Sequence, residues 1–149
     1  MSEPDMMPEL PAINASRHLQ LVVNDIVAPA DGLIAPDVSH AKALVEFALE
    51  WDRSSPIVIH CFAGISRSTA AALIFLCALA PGAGEQLIAK SLRAASPHAA
   101  PNRLLVEHGD RALGRDGRML AALDAMGTPE LAPQGQVFAV PLPRADNPS

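Results

Sequence analysis

With 149 residues, half of them hydrophobic and 18% charged, the chain suits one globular domain and lacks the composition of a disordered protein. A net charge of −5, without any run of Lys or Arg, argues against a nucleic-acid partner, because nucleic-acid binding needs a concentrated basic face. The acidic start does not resemble a signal peptide, and the longest apolar run, residues 70–80, is shorter than the ~20 residues of a membrane span, so we expect a cytoplasmic protein with no membrane partner.

Composition divides the chain into three parts. Residues 1–16, rich in Pro and acidic groups, are predicted to form an irregular N-terminal arm. Residues 17–140 contain the periodic segments and are predicted to form a single domain, whereas residues 141–149 are predicted to be a flexible tail.

The first predicted elements are a strand and a helix. Residues 19–23, Leu-Gln-Leu-Val-Val, alternate and then turn apolar, which favours a strand ending at Asn24 and Asp25. After a loop with Pro and Gly, Asp37 is a suitable cap for a helix. The apolar positions of that helix recur at helical spacing: Val38, Ala41, Leu44, Val45, Ala48 and Leu49.

The next predicted strand comes directly before a segment that contains a cysteine. Residues 57–59, Ile-Val-Ile, are a short β-branched run, typical of a strand buried on both faces of a parallel sheet. Residues 137–140 also look extended, but they end at a proline and predict at most an edge strand. Four more helices are predicted, at residues 70–80, 85–95, 104–113 and 118–126.

This alternation of strands and helices is the pattern of an α/β domain. We therefore predict an open, mostly parallel sheet flanked by helices. Ligands of such folds bind outside the carboxyl ends of the strands, which is where residues 60–69 would lie.

Residues 60–69, His-Cys-Phe-Ala-Gly-Ile-Ser-Arg-Ser-Thr, have the residue types of an anion-binding loop around a nucleophile. Gly64 permits a tight bend, so that successive backbone N–H groups can point into one concavity, and a helix beginning near Arg67 adds the positive end of its dipole. A thiolate on Cys61 would be stabilised there, which would lower the Cys61 pKa. The predicted phosphate-binding residues are Phe62, Ala63, Gly64, Ile65, Ser66 and Arg67.

Three side chains beside the thiol have predicted roles. The planar guanidinium of Arg67 can hold two phosphoryl oxygens at once, which a lysine could not do. The Ser68 hydroxyl can stabilise sulfur as a leaving group, and His60 can hydrogen-bond nearby backbone and steady the loop. The second cysteine, Cys77, lies in an apolar helical run and is predicted to be a core residue.

The pattern His-Cys-x-x-Gly-x-x-Arg-Ser resembles the phosphate loop of the protein tyrosine phosphatase superfamily, and Ala-Gly-Ile-Ser-Arg-Ser is most similar to its dual-specificity branch. Pro101-Asn102, before a predicted helix, is also similar to a pattern in that branch, which implies that Asn102 supports the loop. The resemblance covers roughly residues 19–113. It implies a phosphocysteine intermediate on Cys61, phosphate binding by Arg67 and the loop amides, and no metal or other cofactor.

In the families that the chain resembles, an Asp on a loop well before the cysteine protonates the leaving group. Asp25 fits this description by its context, directly after the first predicted strand, and Asp31 fits by its spacing. Each could instead be a turn or capping residue, so a site without an acid stays open. Asp25 is the preferred general acid.

Members of this superfamily have further strands before the one that ends at the acid, whereas only 18 residues precede Leu19 here. We therefore expect the sheet to lack N-terminal strands.

The sequence thus predicts a phosphatase that hydrolyses phosphate monoesters. The loop has none of the lysines that phosphoinositide phosphatases of this superfamily often have. We therefore expect phosphotyrosine or phosphoserine/threonine on a protein, or else a small phosphate monoester, as the substrate. A non-catalytic phosphate-binding module and a rhodanese-like sulfurtransferase are the alternatives, and Ser68 and the position of Gly64 count against the second.

Overall fold

The computed structural model describes residues 17–143. The predicted arm, residues 1–16, and most of the predicted tail lie outside the described residues. None of the described helices is long and apolar enough to cross a membrane. Five α-helices form in this part of the chain: α1 Val38–Glu50, α2 Arg67–Leu79, α3 Glu85–Ala95, α4 Arg103–Leu113 and α5 Arg118–Ala125.

The helix predictions are confirmed, with small shifts at their ends. Asp37 caps α1, where its carboxylate accepts hydrogen bonds from the backbone N–H groups of Ser39 and His40. The Ser39 hydroxyl and these N–H groups lower the pKa of Asp37. α4 is capped by Asn102, whose side-chain oxygen accepts from the Leu105 N–H. Local capping chemistry therefore sets where these helices begin.

The core is built around α2, which is buried along nearly its whole length. α1, α3 and α4 pack against α2, and α5 packs against α3 and α4. α2 and α4 approach so closely that a Cβ on Gly109 would lie 2.5 Å from Cγ1 of Ile74. Cys77 is fully buried in α2, which confirms its prediction as a core residue, and burial raises the pKa of its thiol to about 12.

The predicted α/β fold with an open parallel sheet is wrong, because residues 17–143 form five helices and no sheet. Residues 57–59 were expected to be buried on both faces. Ile57 and Ile59 do pack against the helical core, but Val58 between them is 84% exposed. The segment therefore packs on the core with one face only. The helical core partly buries Ile57 and Ile59, so their partial burial needs no neighbouring strand.

Within the described residues, the segment at residues 19–23 forms no strand, and only Val22 takes part in an isolated β-bridge. Val23 is fully buried, yet side chains of the helices bond the carbonyl groups that a sheet would use. The Val22 carbonyl lies 3.0 Å from Nε2 of His40, and the Val23 carbonyl accepts from Nη1 of Arg67 at 3.0 Å. Because buried backbone groups need partners, these two side chains satisfy carbonyl groups that would bond a neighbouring strand in a sheet.

The predicted edge strand at residues 137–140 is wrong as well. Val137 is fully exposed, whereas Phe138 and Val140 are partly buried against the helical core. This segment is part of a longer stretch, residues 128–143, that we call the C-terminal strap. The strap contains no helix or strand and returns to the cysteine loop.

Candidate active site

The cysteine loop, residues 60–66, leads directly into the first turn of α2. Gly64 bends the loop with φ of +71°, a left-handed conformation that favours glycine. Because α2 begins at Arg67, its first N–H groups have no acceptor within the helix and point toward the loop. The predicted turn from the cysteine loop into a helix is therefore present, although no sheet precedes it in the described part of the chain.

Polar groups of the loop and of the first turn of α2 surround the Cys61 sulfur. The thiol donates to Oγ of Ser68 at 3.2 Å, and the Ser68 hydroxyl and the backbone N–H groups of Ser68 and Gly64 favour its ionised form. Burial of the thiol opposes ionisation and is the largest single influence on it. The Ser68 and Gly64 donors and the charge of Arg67 together outweigh burial and lower the pKa of Cys61. The site therefore shifts the ionisation of Cys61 toward the thiolate, which is the nucleophilic form of cysteine.

Arg67 is buried at the start of α2, with 4% of its surface exposed. Its Nη1 donates to the Val23 carbonyl at 3.0 Å. This bond attaches the first turn of α2 to the segment that contains Asp25. The guanidinium thus supplies positive charge beside Cys61 and also joins the two parts of the site.

Asp25 lies against the cysteine loop. Its Oδ1 accepts a hydrogen bond from the Ser66 hydroxyl at 2.6 Å and another from Nδ2 of Asn102 at 2.8 Å. Both bonds use the same carboxylate oxygen, so Oδ2 takes part in neither of them. The side chain is exposed to solvent, where a substrate could reach it.

Asp31, the alternative acid, is also exposed, but it makes no hydrogen bond or ion pair with any described part of the chain. The loop that carries it is pinched at its base by Asn24. The Asn24 N–H donates to the Ile34 carbonyl at 2.7 Å, and the Asn24 side chain accepts from the Ile34 N–H at 2.8 Å. Asp25 lies next to this pinch, whereas Asp31 lies farther out on the loop.

Asn102 connects three parts of the site and is itself buried. Its side-chain oxygen caps α4, and its Nδ2 donates both to Asp25 and to the Ile26 carbonyl at 3.1 Å. Its backbone N–H donates to the Ser66 carbonyl at 3.1 Å. One side chain therefore joins α4, the Asp25 segment and the cysteine loop.

The two ends of the cysteine loop differ in their exposure to solvent. His60 is exposed, and Phe62 keeps 68% of its surface exposed. The Ile65 carbonyl accepts from the Ala100 N–H at 2.9 Å and also from the Thr69 hydroxyl. The second half of the loop is thus fixed by its neighbours.

Two contributions to the site were not predicted from the sequence. The Gly135 N–H of the strap donates to the Ala63 carbonyl at 2.7 Å, and His40 of α1 holds the Val22 carbonyl. Gly135 lies in a Pro-Gln-Gly-Gln stretch, which by itself indicates only a turn. Neither contact has a local sequence signal.

Comparisons of the chain with protein-family models, with curated proteins and with solved structures give no match. Within residues 17–143, no group of three or more His, Cys, Asp or Glu side chains is arranged to hold a metal ion. The groups gathered at the loop include a thiol, a guanidinium, a carboxylate, three hydroxyls, the Asn102 amide and backbone N–H groups.

Proposed function

We propose that the protein is a cysteine-dependent phosphatase that hydrolyses phosphate monoesters through a phosphocysteine on Cys61. The observation that carries the proposal is the setting of Cys61, whose Sγ lies 3.2 Å from the Ser68 hydroxyl. Ser68, Gly64 and the buried Arg67 beside it lower the pKa of the thiol. These donors favour a thiolate at the point where the loop can also hold an anion. The resemblance of the loop to the phosphate loop of the dual-specificity branch supports the same chemistry.

In the first step, the Cys61 thiolate attacks phosphorus. The S–P bond forms while the bond from phosphorus to the leaving oxygen breaks. Loop N–H groups and the Arg67 guanidinium stabilise the charge on the other phosphoryl oxygens. Asp25, protonated on Oδ2, donates that proton to the leaving oxygen.

In the second step, water attacks the phosphocysteine and the S–P bond breaks, which releases inorganic phosphate. Asp25, now a carboxylate, accepts a proton from the water. The Ser68 hydroxyl, 3.2 Å from the sulfur, donates to the departing thiolate and stabilises it. The cycle ends with the thiolate and the protonated acid restored.

The proposed substrate is phosphotyrosine or phosphoserine/threonine on a protein, with a small phosphate monoester as the other source of the same group. The loop side chains from Phe62 to Ser66 carry no positive charge, so additional phosphates would add little attraction. A cytoplasmic location belongs to the same proposal, because a reducing compartment keeps a nucleophilic thiol reduced.

The test is a substrate-panel assay on the full chain and on Cys61→Ser, with Cys77→Ala as the control. We expect Cys61→Ser to lose turnover while it still binds vanadate, because Arg67 and the loop N–H groups remain. Cys77 is buried away from the loop, so Cys77→Ala should keep its activity per folded molecule. Turnover by Cys61→Ser would contradict the mechanism.

Two other outcomes would replace the proposed function. A parent chain that binds vanadate but turns over no aryl phosphate would be a phosphate-binding module. Turnover of thiosulfate in place of phosphate esters would indicate a sulfurtransferase.

A further inference from the structure

The C-terminal strap meets the cysteine loop through backbone atoms. The Gly135 N–H donates to the Ala63 carbonyl at 2.7 Å. A Cβ on residue 135 would lie 2.7 Å from the Gly64 carbonyl oxygen and 3.3 Å from its carbon. Both neighbours are backbone atoms, which cannot rotate away as the end of a long side chain can. The strap can therefore come this close only where it has no side chain.

The strap is held on both sides of this contact. Before it, the Glu130 N–H donates to the Pro97 carbonyl at 3.0 Å, and the Glu130 carbonyl lies 2.9 Å from Nδ1 of His98. After it, three apolar side chains pack against the helical core: Phe138, Val140 and Leu142. Gly135 is thus held against the loop by interactions that do not themselves involve the loop.

The peptide that Gly135 bonds also faces the nucleophile. In a planar trans peptide, the carbonyl group and the N–H group point in opposite directions, and the described residues contain no cis peptide. The Ala63 carbonyl end bonds the strap, and the Gly64 N–H end is one of the groups that stabilise the ionised Cys61 sulfur. Rotation of this peptide would turn a carbonyl oxygen toward the sulfur in place of a donor.

We propose that Gly135 is a positioning residue, whose N–H holds the Ala63 carbonyl outward and thereby keeps the Gly64 N–H on the Cys61 sulfur. The catalytic consequence rests on the proposed phosphatase function, whereas the positioning itself is a property of the thiol and its loop. The C-terminal strap thus helps to position the nucleophile, which lies near the middle of the sequence.

The charged and titratable groups around the sulfur come from other elements. Arg67 of α2 lies beside Cys61, Asp25 faces the loop through Ser66, and His60 precedes the cysteine. The strap carries one charged side chain, Glu130, which is separated from Gly135 by four residues. A substitution of Gly135 by alanine therefore changes the Gly64 donor without changing any charge near Cys61.

The first experiment compares Gly135→Ala with Gly82→Ala in the full chain. Gly82 has open space around it and no left-handed φ, so it is a matched control. The rate of Cys61 alkylation by iodoacetamide is measured against pH, and Cys77 contributes little because it is buried. We expect the Gly135→Ala curve to move to higher pH, with alkylation at neutral pH slowed about tenfold, the value of one hydrogen bond to a charged group. An unshifted curve would overturn the proposal.

A second measurement uses the unmodified chain, so the proposal stays testable if Gly135→Ala does not fold. By NMR, the Gly135 amide should be protected from hydrogen exchange, and the Gly64 amide resonance should follow the ionisation of Cys61. A Gly135 amide that exchanges as fast as an open loop would overturn the proposal.

The two proposals can fail separately. If the parent chain shows no phosphatase turnover but Gly135→Ala still shifts the alkylation curve, the proposed function is wrong and the role of Gly135 stands. If turnover depends on Cys61 but Gly135→Ala leaves the alkylation curve unshifted, the proposed function stands and the role of Gly135 is wrong.

Discussion

The Ser66 hydroxyl donates a 2.6 Å hydrogen bond to Oδ1 of Asp25, although 41 positions separate the two residues in the sequence. Ser66 belongs to the cysteine loop, so this bond places a carboxylate beside the nucleophile. Asn102 donates to the same oxygen at 2.8 Å. With Oδ1 held by two donors, Oδ2 has a defined direction and is the oxygen that can carry a proton to the leaving group.

The first prediction concerns this carboxylate. Asp25→Asn should lower turnover of alkyl phosphates by about 10²–10⁴-fold, the usual contribution of a general acid. Aryl phosphates with good leaving groups should lose far less, because their leaving oxygen scarcely needs the proton. The measurement is kcat for a series of esters of increasing leaving-group pKa. The plot of log kcat against leaving-group pKa should have a steeper slope in the variant.

Asp31→Asn is the matched control for this prediction, since Asp31 is exposed and, within residues 17–143, makes no hydrogen bond or ion pair with the cysteine loop. Its leaving-group series should match that of the parent chain. If Asp31→Asn shows the steeper slope and Asp25→Asn does not, the acid is Asp31. If neither variant differs from the parent, the two-step mechanism lacks its acid.

The second prediction concerns the buried guanidinium of Arg67. Arg67→Lys should lower kcat by about 100-fold or more, the scale of losing one preorganised donor to transition-state charge. A lysine keeps the charge but cannot contact two phosphoryl oxygens while it also bonds the Val23 carbonyl, as the Arg67 fork can. Steady-state kinetics and vanadate binding give the readout.

Arg103→Lys is the control for this substitution, because the Arg103 guanidinium is exposed and pairs with Asp124 at 2.6 Å rather than with a residue of the cysteine loop. Its kinetics should be those of the parent chain. If Arg67→Lys kept most of its activity, Arg67 would act only as a point charge, and the two-oxygen contact would be wrong.

The third prediction concerns pH and the Ser68 hydroxyl. This hydroxyl is one of the donors that lower the pKa of Cys61, so its removal in Ser68→Ala should raise that pKa. Less thiolate is then present at any pH below the new midpoint, and the acidic limb of the pH–activity curve should move to higher pH. Thiol alkylation against pH measures the same shift without a substrate.

The Ser68 hydroxyl should also matter in the second step, where it stabilises the departing sulfur. Ser68→Ala should therefore slow phosphocysteine hydrolysis about tenfold and let the intermediate accumulate, visible as a burst of released alcohol. Ser91→Ala, on α3, is the control and should show neither effect. A Ser68→Ala variant with unchanged alkylation and no burst would remove Ser68 from both roles.

The sequence determined the helices and the composition of the loop, because both depend on neighbours within a few residues. Apolar spacing and the Asp37 cap locate α1, and the glycine at position 64 allows the left-handed bend of the loop. Whether a sheet forms could not be decided from neighbouring residues in this way. Strand pairing is a contact between distant segments, and here His40 and Arg67 bond the carbonyl groups that a neighbouring strand would have used.

Only the tertiary structure decided which carboxylate lies at the loop and what holds the loop from outside. The sequence preferred Asp25 and left Asp31 open, and in the structure only Asp25 meets donors from Ser66 and Asn102. Gly135 has no local signal at all, since its importance comes from a backbone approach to Gly64 that leaves no room for a Cβ. Distances between segments far apart in the chain are set by how the helices pack, which no short stretch of sequence specifies.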